Sequence, residues 1–260
     1  MAMRLLVDLG NTRLRWAALD AAGRLGRVAS VVHAGRSLGD VLEGAWAGLA
    51  PPEAVLLCSV ADAAASEAVV RWCRQRWGVL VERVEARAEG WGVRNAYHEP
   101  ARLGPDRWAA LVGARALFPE RPVCVVDCGT AVTIDVLDAQ GRHLGGLITP
   151  GLALMRRALA AGTAAIGEAE AGGGRPEGVS LLARSTRDGV TAGTLCALVA
   201  LVDRVSADLR AELGEGLVRV LTGGDAVAVA GLLAEAWRHE PTLVLQGLAR
   251  MAAVAAAEAP

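Results

Sequence analysis

One pattern occurs twice in this chain and constrains its fold more than any other feature. Each copy has an apolar run that predicts a buried strand, then an aspartate, a glycine turn with a hydroxyl residue, and a second strand. The first copy comprises residues 5–20 and the second comprises residues 123–138. Such a turn brings backbone N–H groups, a hydroxyl and a carboxylate together, which suits a phosphate and its metal ion. Two copies predict a duplicated α/β protein that holds a phosphorylated ligand from two sides.

The first copy places Asp8 at the end of a strand, with Gly10, Asn11 and Thr12 in the turn. An ordinary hairpin turn is the alternative, because Asp, Gly and Asn are common turn residues. The second copy argues against that alternative. A plain turn has no reason to recur with an aspartate at the strand end both times.

The second copy places Asp127 after the apolar run Val123–Val126 and before Gly129 and Thr130. A carboxylate in a buried central strand is costly unless it meets a cation or several donors. A cation beside a polyphosphate would satisfy it. The alternative is that Asp127 caps the amides of its own turn.

A third element, Thr222-Gly223-Gly224-Asp225, lies between a predicted strand and a predicted helix. Glycines let a flat ligand approach the backbone, and a helix N-terminus favours polar or anionic groups. A simple connecting loop is the alternative. Neither GxxxxGK[ST] nor GxGxxG after a strand occurs, so the nucleotide folds built on those motifs are not supported.

The composition limits which structural class and which binding partners can be expected. The 260 residues are 53% hydrophobic with a net charge of −1, which predicts two α/β domains and no nucleic-acid partner. We expect the domains to be 1–118 and 119–260, divided at the proline-rich segment Pro119–Pro122. Five cysteines without a CxxC pair predict a reduced, cytoplasmic protein. No signal peptide is apparent, and no uninterrupted apolar run predicts a membrane span.

The periodicity predicts strands and helices alternating in both halves. Strands are expected at 4–9, 13–19, 54–60, 78–84, 122–128, 131–137, 143–148, 217–221 and 242–245. Helices are expected at 37–49, 61–77, 106–117, 151–161, 186–212 and 226–238, with a last alanine-rich helix. The segment 167–178 is rich in Gly, Glu and Pro and predicts a loop.

The three motifs, in this order, resemble the actin-like ATPase and sugar kinase superfamily. The resemblance implies duplicated ribonuclease H-like domains, each a mixed sheet flanked by helices, with ATP in the cleft between the halves. A more specific likeness comes from Asn95–Leu111, which reads Asn-Ala-Tyr-His-Glu-Pro-Ala-Arg-Leu-Gly-Pro-Asp-Arg-Trp-Ala-Ala-Leu. This segment, Gly146–Gly151 and Arg184–Gly189 closely resemble type III pantothenate kinases, in order. The likeness runs from residue 5 to about residue 250.

The resemblance implies a role for each matching residue. It implies pantothenate and ATP as substrates, with Mg²⁺ and a monovalent cation (K⁺ or NH₄⁺), in a homodimer. Asp106 is the expected catalytic base, Asp8 the residue that orders Mg²⁺ through water, and Asp127 the ligand of the monovalent cation. The expected ATP-binding residues, besides Asp8, are Gly10, Asn11, Thr12, Arg15, Gly129, Thr130, Gly223 and Gly224. The expected substrate-binding residues are Tyr97, Gly104, Pro105, Arg107 and Thr186.

Several of these residues also have simpler interpretations. Asp106 and Arg107 begin a predicted helix, where Asp is a common cap, although a kinase needs a carboxylate that accepts the hydroxyl proton. Tyr97 is alternatively a surface aromatic. Thr186 is alternatively a helix N-cap, a role that Ser185 could also take. The family commonly has lysine at the position of Arg15. Arginine keeps the charge but not the geometry, so the resemblance does not decide whether Arg15 contacts phosphate.

Other residues near the motifs have no predicted chemical role. Pro105 occupies a position where a small or apolar residue is usual. Asp135 and Asp138 are expected on a solvated strand face. None of the four histidines is expected to take part in catalysis.

Two other functions are compatible with the fold. One is a kinase of the same superfamily that acts on another small hydroxyl compound, against which the 97–107 segment argues. The other is a non-catalytic regulatory accessory protein. Retention of Asp8, Asp106 and Asp127 argues against an inactive enzyme.

Overall fold

The computed structural model describes residues 3–163 and 182–257, with side chains up to residue 253. The loop predicted at 167–178 lies outside these residues. The described helices are α1 (Leu38–Trp46), α2 (Ala63–Trp77), α3 (Pro105–Leu117), α4 (Leu152–Gly162), α5 (Thr186–Leu213), α6 (Ala226–Ala230) and α7 (Leu243–Ala257). The first seven strands are β1 (Arg4–Leu9), β2 (Arg13–Leu19), β3 (Ala29–Val32), β4 (Ala54–Ser59), β5 (Val81–Arg83), β6 (Glu89–Gly90) and β7 (Val93–Arg94). The remaining strands are β8 (Val123–Cys128), β9 (Ala131–Leu137), β10 (His143–Pro150), β11 (Val218–Thr222) and β12 (Arg238–His239).

The chain forms two compact units. The first unit contains the residues up to Pro119, the segment Gly141–His143 and the residues from Thr242 onward. The second unit contains Glu120–Gln140 and Leu144–Pro241. The units therefore differ from the expected halves in one important respect, because α7 belongs to the first unit rather than to the second.

The first unit is built on a mixed sheet of order β3-β2-β1-β4-β5. Strand β1 is antiparallel to β2 and parallel to β4, and this register sets Asp8 opposite Arg15 on one side and Cys58 on the other. One sheet face packs on α1 and α2 through apolar residues that include Leu5, Val7, Trp46 and Trp72. Because side chains alternate along a strand, Leu6 and Asp8 point to the opposite face. Helices α3 and α7 cover that face.

Helices α3 and α7 cross closely because glycine occupies both helices at the contact. A β-carbon at Gly247 would lie 1.9 Å from the carbonyl oxygen of Ala109, and one at Gly113 would lie 2.6 Å from that of Leu243. Any larger residue would push the helices apart. The crossing therefore fixes α3, whose residues Arg107–Ala114 are all buried, against the sheet.

The second unit repeats the arrangement with a sheet of order β10-β9-β8-β11-β12. Again a central strand, β8, is antiparallel to its hairpin partner β9 and parallel to the next strand, β11. Helix α5 contributes Leu198 and Val202 to the core on this sheet. The predicted duplicated α/β fold of mixed sheets flanked by helices is confirmed.

Some local predictions were wrong. The helix after Asp225 ends at Ala230, and residues 242–245 are not a strand, because Leu243 begins α7. Asp135 and Asp138, expected on a solvated face, are only 3% and 7% exposed. Neighbours cover both faces of β9 from Ile134 to Leu137, so alternation of polar and apolar residues did not indicate a solvated face there.

Helix α5 is unusually apolar. Within the described residues it alone is long and apolar enough to cross a membrane, by length and composition only. About a third of its apolar window, 33%, is buried inside the structure. Part of its apolar surface is therefore accounted for by packing on the second-unit sheet.

Candidate functional site

The first turn links β1 and β2 and is held by backbone hydrogen bonds. The N–H of Gly10 donates to the carbonyl of Arg13 over 3.0 Å, and the carbonyl of Thr12 accepts from His33 and Ala34. The ring nitrogen Nε2 of His33 lies 2.8 Å from the carbonyl oxygen of Gly10. His33 is buried and fixes the turn from outside the motif. No sequence pattern indicated this role, because His33 lies beyond the hairpin, just after the strand that follows.

Two of the predicted carboxylates approach the same buried thiol. Cys58 is fully buried beside Asp8 in the sheet. Burial raises the pKa of the Cys58 thiol well above its ordinary value, and the negative charges of Asp8 and Asp106 raise it further. The fold thus brings Asp8, from a strand, and Asp106, from a helix, to one place on the α3 side of the sheet.

The start of α3 determines where the Asp106 carboxylate points. Gly104 precedes the helix, Pro105 is its first residue, and the Oδ1 atom of Asp106 accepts a hydrogen bond from the N–H of Arg107 over 2.7 Å. A β-carbon at Gly104 would lie 2.7 Å from that oxygen. Only glycine leaves space for the carboxylate in this position. A first-turn carboxylate is also favoured by the helix dipole.

Tyr97 and Arg107 form a polar pair next to that carboxylate. Arg107 is only 6% exposed, and its Nη1 donates to the hydroxyl of Tyr97 over 2.7 Å. The guanidinium carbon also lies 5.6 Å from the centre of the tyrosine ring. Tyr97 is half-buried. Part of its surface is therefore open to solvent, and part contacts Arg107.

The segment that carries Tyr97 is held by two further side chains. The Asn95 side-chain carbonyl accepts from the N–H of Tyr97 over 3.0 Å, and its amide donates to the carbonyl of Pro100 over 3.1 Å. The buried ring of His143 stacks on the tyrosine ring with centres 6.1 Å apart and planes at 17°. His143 reaches this place because Gly141–His143 belongs to the first unit. This contact could not be predicted, because His143 and Tyr97 are far apart in the sequence.

Arg15 lies on β2, directly opposite Asp8 in the hairpin register. Directly opposed residues of an antiparallel pair project from the same face of the sheet. The hairpin therefore places the Arg15 guanidinium on the Asp8 side of the sheet. Asn11, at the tip of the turn, is exposed.

The second turn, in the second unit, is enclosed by glycine and backbone. Asp127 is half-buried near the end of β8, opposite Thr222 on one side and Thr133 on the other. The N–H of Gly129 donates to the carbonyl of Ala131 over 3.1 Å and closes the turn. Gly223 has φ of +95°, and a β-carbon there would lie 2.5 Å from Oδ1 of Asp127.

A second carboxylate lies near Asp127. The N–H of Asp225 donates to the carbonyl of Cys128 over 2.9 Å. Burial raises the pKa of the Cys128 thiol to about 12, and the charges of Asp127 and then Asp225 contribute. Asp225 belongs to the Thr222–Asp225 motif but had no predicted role. Its proximity to Asp127 follows from the β8–β11 pairing.

The remaining predicted residues lie at the surface of the second unit. Gly224 is exposed, with open space where a β-carbon would lie, and Thr130 is exposed in its turn. Thr186 is the exposed first residue of α5, whereas Ser185 is the N-cap and accepts from the N–H of Asp188 over 3.1 Å. Of the two predicted caps, Ser185 is therefore confirmed, and the interpretation of Thr186 as the cap was wrong.

The ligand chemistry of the described residues fits cations that also bind phosphate. No three His, Cys, Asp or Glu side chains of the described ranges are grouped closely enough to hold a metal alone. Mg²⁺ is usually held by one or two carboxylates together with substrate phosphates and water. The half-buried Asp8, which shares the Cys58 neighbourhood with Asp106, fits that pattern. Asp127 and Asp225 provide hard oxygen donors of the same class.

Comparison with known proteins gives a consistent family match. A family model described as type III pantothenate kinase matches residues 4–208. A type III pantothenate kinase of Nitrosococcus oceani is 42% identical over 256 residues, covering 96% of this chain and 94% of that protein. A type III pantothenate kinase of Halorhodospira halophila is 41% identical, with coverage of 95% and 96%.

Solved structures support the fold. A protein assigned to the Baf family of transcriptional activators, from Campylobacter jejuni, has a TM-score of 0.61 at 19% identity, covering 97% of this chain and 99% of that one. MreB 5 of Spiroplasma citri bound to AMPPNP has a TM-score of 0.52 at 11% identity, covering 99% and 98%. At these identities the likeness concerns the fold alone.

Proposed function

The chain belongs to the type III pantothenate kinase family, and from this membership we propose how its residues phosphorylate pantothenate. The enzyme transfers a phosphoryl group from ATP to the primary hydroxyl of pantothenate. The product, 4′-phosphopantothenate, begins coenzyme A synthesis. The observation that carries the assignment of residues is the group formed by Asp106, Arg107 and Tyr97 on the α3 side of the first-unit sheet.

Asp106 is the proposed base. It accepts the hydroxyl proton of pantothenate as the oxygen attacks the γ-phosphorus of ATP. Its hydrogen bond from the helix N–H and the space left by Gly104 support the role, because both hold the carboxylate in one direction. In phosphoryl transfer most of the rate enhancement comes from position and charge, so a fixed carboxylate matters more than a strong base.

Arg107, Tyr97 and Thr186 are the proposed pantothenate-binding residues, with Gly104 and Pro105 shaping the backbone beside them. The buried guanidinium holds the tyrosine hydroxyl and supplies a fixed positive charge near the base. The stacked Tyr97 and His143 rings form an apolar wall, which suits the dimethyl group of the pantoyl moiety.

The two turns are the proposed phosphate binders. Gly10, Asn11, Thr12 and Arg15 act in the first unit, and Gly129 and Thr130 act in the second. The backbone at Gly223 and Gly224 receives the adenosine. The backbone N–H and hydroxyl groups of the turns support this role, because such groups bind phosphate oxygens.

We also propose two cations, one in each unit. Asp8 would hold Mg²⁺ through water, and Asp127 would hold K⁺ or NH₄⁺. Bound beside the phosphates, Mg²⁺ neutralises charge that develops during transfer. Asp127 is supported as a cation ligand because it is half-buried and Asp225 adds a second negative charge nearby.

A homodimer in the cytoplasm is the proposed state of the enzyme. In the second unit, β10 and α4 expose several large apolar side chains, namely Leu144, Leu147, Ile148, Leu154 and Leu159. The outer side of α5 adds small residues, including Cys196 and Ala200, that permit close packing. All five cysteines lie in the described residues and none forms a disulfide, which agrees with a reducing compartment. A second copy packed on this surface would cover the apolar side of α5 without a membrane.

A substrate panel tests the function. Purified protein is supplied with ATP, Mg²⁺ and K⁺, and ADP release is followed with pantothenate, glucose, glycerol or 2-keto-3-deoxygalactonate as acceptor. We expect turnover with pantothenate and background rates with the others. Faster turnover with another acceptor would establish a different kinase, and ATP binding without turnover on any acceptor would establish the regulatory alternative.

A further inference from the structure

A cavity in the first unit lies apart from every residue assigned above. It has a volume of about 680 Å³ and is lined by the start of β1, β4, the residues around β5, and α7. Its charged and aromatic lining includes Arg4, Arg83, Arg87, Trp91 and Arg250. A volume of this size lies within the range of pockets that hold small organic ligands, roughly 300–1,000 Å³.

The charge of the lining favours an anion. Four arginines line the cavity against two glutamates, Glu82 and Glu85. Arg83 is paired with Glu67 outside the lining. Nη1 of Arg4 donates to the carbonyl of Ala252 over 2.6 Å, which fixes that guanidinium at the cavity wall. Arginine presents a planar set of donors that matches carboxylate and phosphate groups.

Trp91 occupies a backbone position that normally excludes tryptophan. It is the first residue of the two-residue turn between β6 and β7, where φ is +52° at Trp91 and +78° at Gly92. Hairpin turns with two positive φ values favour Asn, Asp and Gly, and a bulky residue there costs about 1–2 kcal/mol. A smaller residue would form this turn with less strain. The turn therefore does not explain why tryptophan occupies this position.

The indole ring is held in place from two directions. The guanidinium carbon of Arg87 lies 5.3 Å from the ring centre. The ring of Trp108, fully buried on α3, meets it edge-on with centres 6.2 Å apart and planes at 67°. Trp91 is nevertheless only partly buried, so some of its surface stays open to the cavity. Arg87 and Trp91 therefore form a prepared flat surface beside the cationic lining.

We propose that this cavity binds a small organic anion that carries a flat aromatic ring and a phosphate or carboxylate group. The ring stacks on the Arg87–Trp91 surface, where planar groups gain dispersion and cation–π energy. The anionic group meets the arginines of the wall, of which Arg83, Arg87 and Arg250 are exposed and Arg4 is half-buried. This site is distinct from the Asp8–Asp106 group and belongs to the first unit alone.

The test uses 1-naphthyl phosphate as the probe and isothermal titration calorimetry as the measurement. A non-hydrolysable ATP analogue and pantothenate are present in excess, so that the kinase site is filled. We expect one saturable site per chain. Binding should weaken at least about 10-fold in Arg87→Ala and in Trp91→Ala, a loss of about 1.4 kcal/mol for each. Inorganic phosphate alone should bind at least about 10-fold more weakly than the probe.

Matched variants keep the test decisive. Arg24→Ala removes an exposed arginine paired with Asp20 and should leave probe binding unchanged. Arg250→Gln, on the exposed side of α7, provides a second lining variant if Trp91→Ala does not fold. Kinase turnover should persist in all of these variants. Absence of saturable probe binding, or equal binding by wild type, Arg87→Ala and Arg250→Gln, would overturn the proposal.

Discussion

The two Asp-x-Gly turns share a backbone plan but differ in what surrounds the carboxylate. Both aspartates lie near the end of a central strand, between a hairpin partner and a parallel neighbour. Asp8 faces a helix that brings a second carboxylate, Asp106, and the Arg107–Tyr97 pair. Asp127 instead faces the backbone at Gly223, with Asp225 on the following loop.

This difference indicates that the two units of a duplicated fold can have different roles. In the first unit the turn is backed by side chains that could exchange a proton or hold a substrate. In the second unit it is backed by glycine and main chain, with the Asp225 carboxylate nearby, a set that could shape a surface and hold a cation. The two units therefore share the turn, while the proposed proton transfer depends on the helix that lies opposite one of its copies.

The largest effect should distinguish the two carboxylates that accompany the turns. Asp106→Asn should reduce kcat by about 10²–10⁴-fold, because it removes the base, with little change in ATP affinity. Asp225→Asn, the matched change in the second unit, should reduce kcat no more than about 10-fold. Steady-state ADP release and binding of an ATP analogue measure both. Equal losses of kcat in the two variants would contradict the proposal that only the first unit supplies the base.

The next effect concerns the glycine that encloses Asp127. A β-carbon at Gly223 would lie 2.5 Å from backbone atoms of Cys128, and its φ is +95°. Gly223→Ala should therefore raise the KM for ATP at least about 10-fold and lower Tm by several degrees. Gly224→Ala is the control, since open space surrounds that position, and it should change either quantity little. If both variants change the KM for ATP and the Tm equally, the close backbone packing at Gly223 is not important for ATP binding.

Cation dependence should separate the two turn aspartates. Asp127→Asn should abolish the preference for K⁺ over Na⁺ and reduce turnover about 10-fold, because one negative ligand is lost. Asp8→Asn should keep that preference and require more Mg²⁺. The measurement is turnover against the concentration of each cation. Loss of the K⁺ preference in Asp8→Asn would reverse the two assignments.

A smaller effect is expected at the tyrosine. Tyr97→Phe keeps the stacking on His143 but removes the hydrogen bond from Arg107. A hydrogen bond from a charged donor is worth at least about 1.5 kcal/mol, so the KM for pantothenate should rise about 10-fold, with the KM for ATP unchanged. His98→Ala, an exposed neighbour on the same segment, serves as the control. A change in ATP affinity alone would place Tyr97 elsewhere in the mechanism.

The smallest effect is on stability at alkaline pH. Burial raises the pKa of the Cys124 and Cys128 thiols from 9.0 to about 12. The unfolded thiols therefore ionise first, so stability is lost as pH rises from about 9 towards 12, by up to about 1.4 kcal/mol per pH unit for each thiol. Urea unfolding at several pH values should show a shallower decline for Cys128→Ala than for wild type. Identical declines would show that the thiol is not protected by the fold.

The sequence was sufficient for the repeated architecture. Each strand–turn–strand copy is local, so alternation and turn residues predicted both hairpins and their carboxylates. The start of α3 was equally predictable, because Gly104, Pro105 and Asp106 are a helix-start signal in themselves.

Contacts between distant segments were not predictable. His33 and His143 lie against the first turn and against Tyr97 through folding of the chain rather than through sequence spacing. The burial of Asp135 depends on layers that cover both faces of β9. The position of α7 in the first unit depends on its crossing with α3, which single glycines in each helix permit.

That crossing has a consequence for the synthesis of the protein. Helix α7 follows the whole second unit along the chain, yet it completes the first unit by packing on α3. During translation, domains generally fold as units in the order in which they emerge from the ribosome. Here the second unit can finish while the first still exposes the apolar side of α3. The helix that carries Asp106 acquires its packing partner only when the last segment has emerged, so a prematurely terminated chain would lack an ordered position for the proposed base.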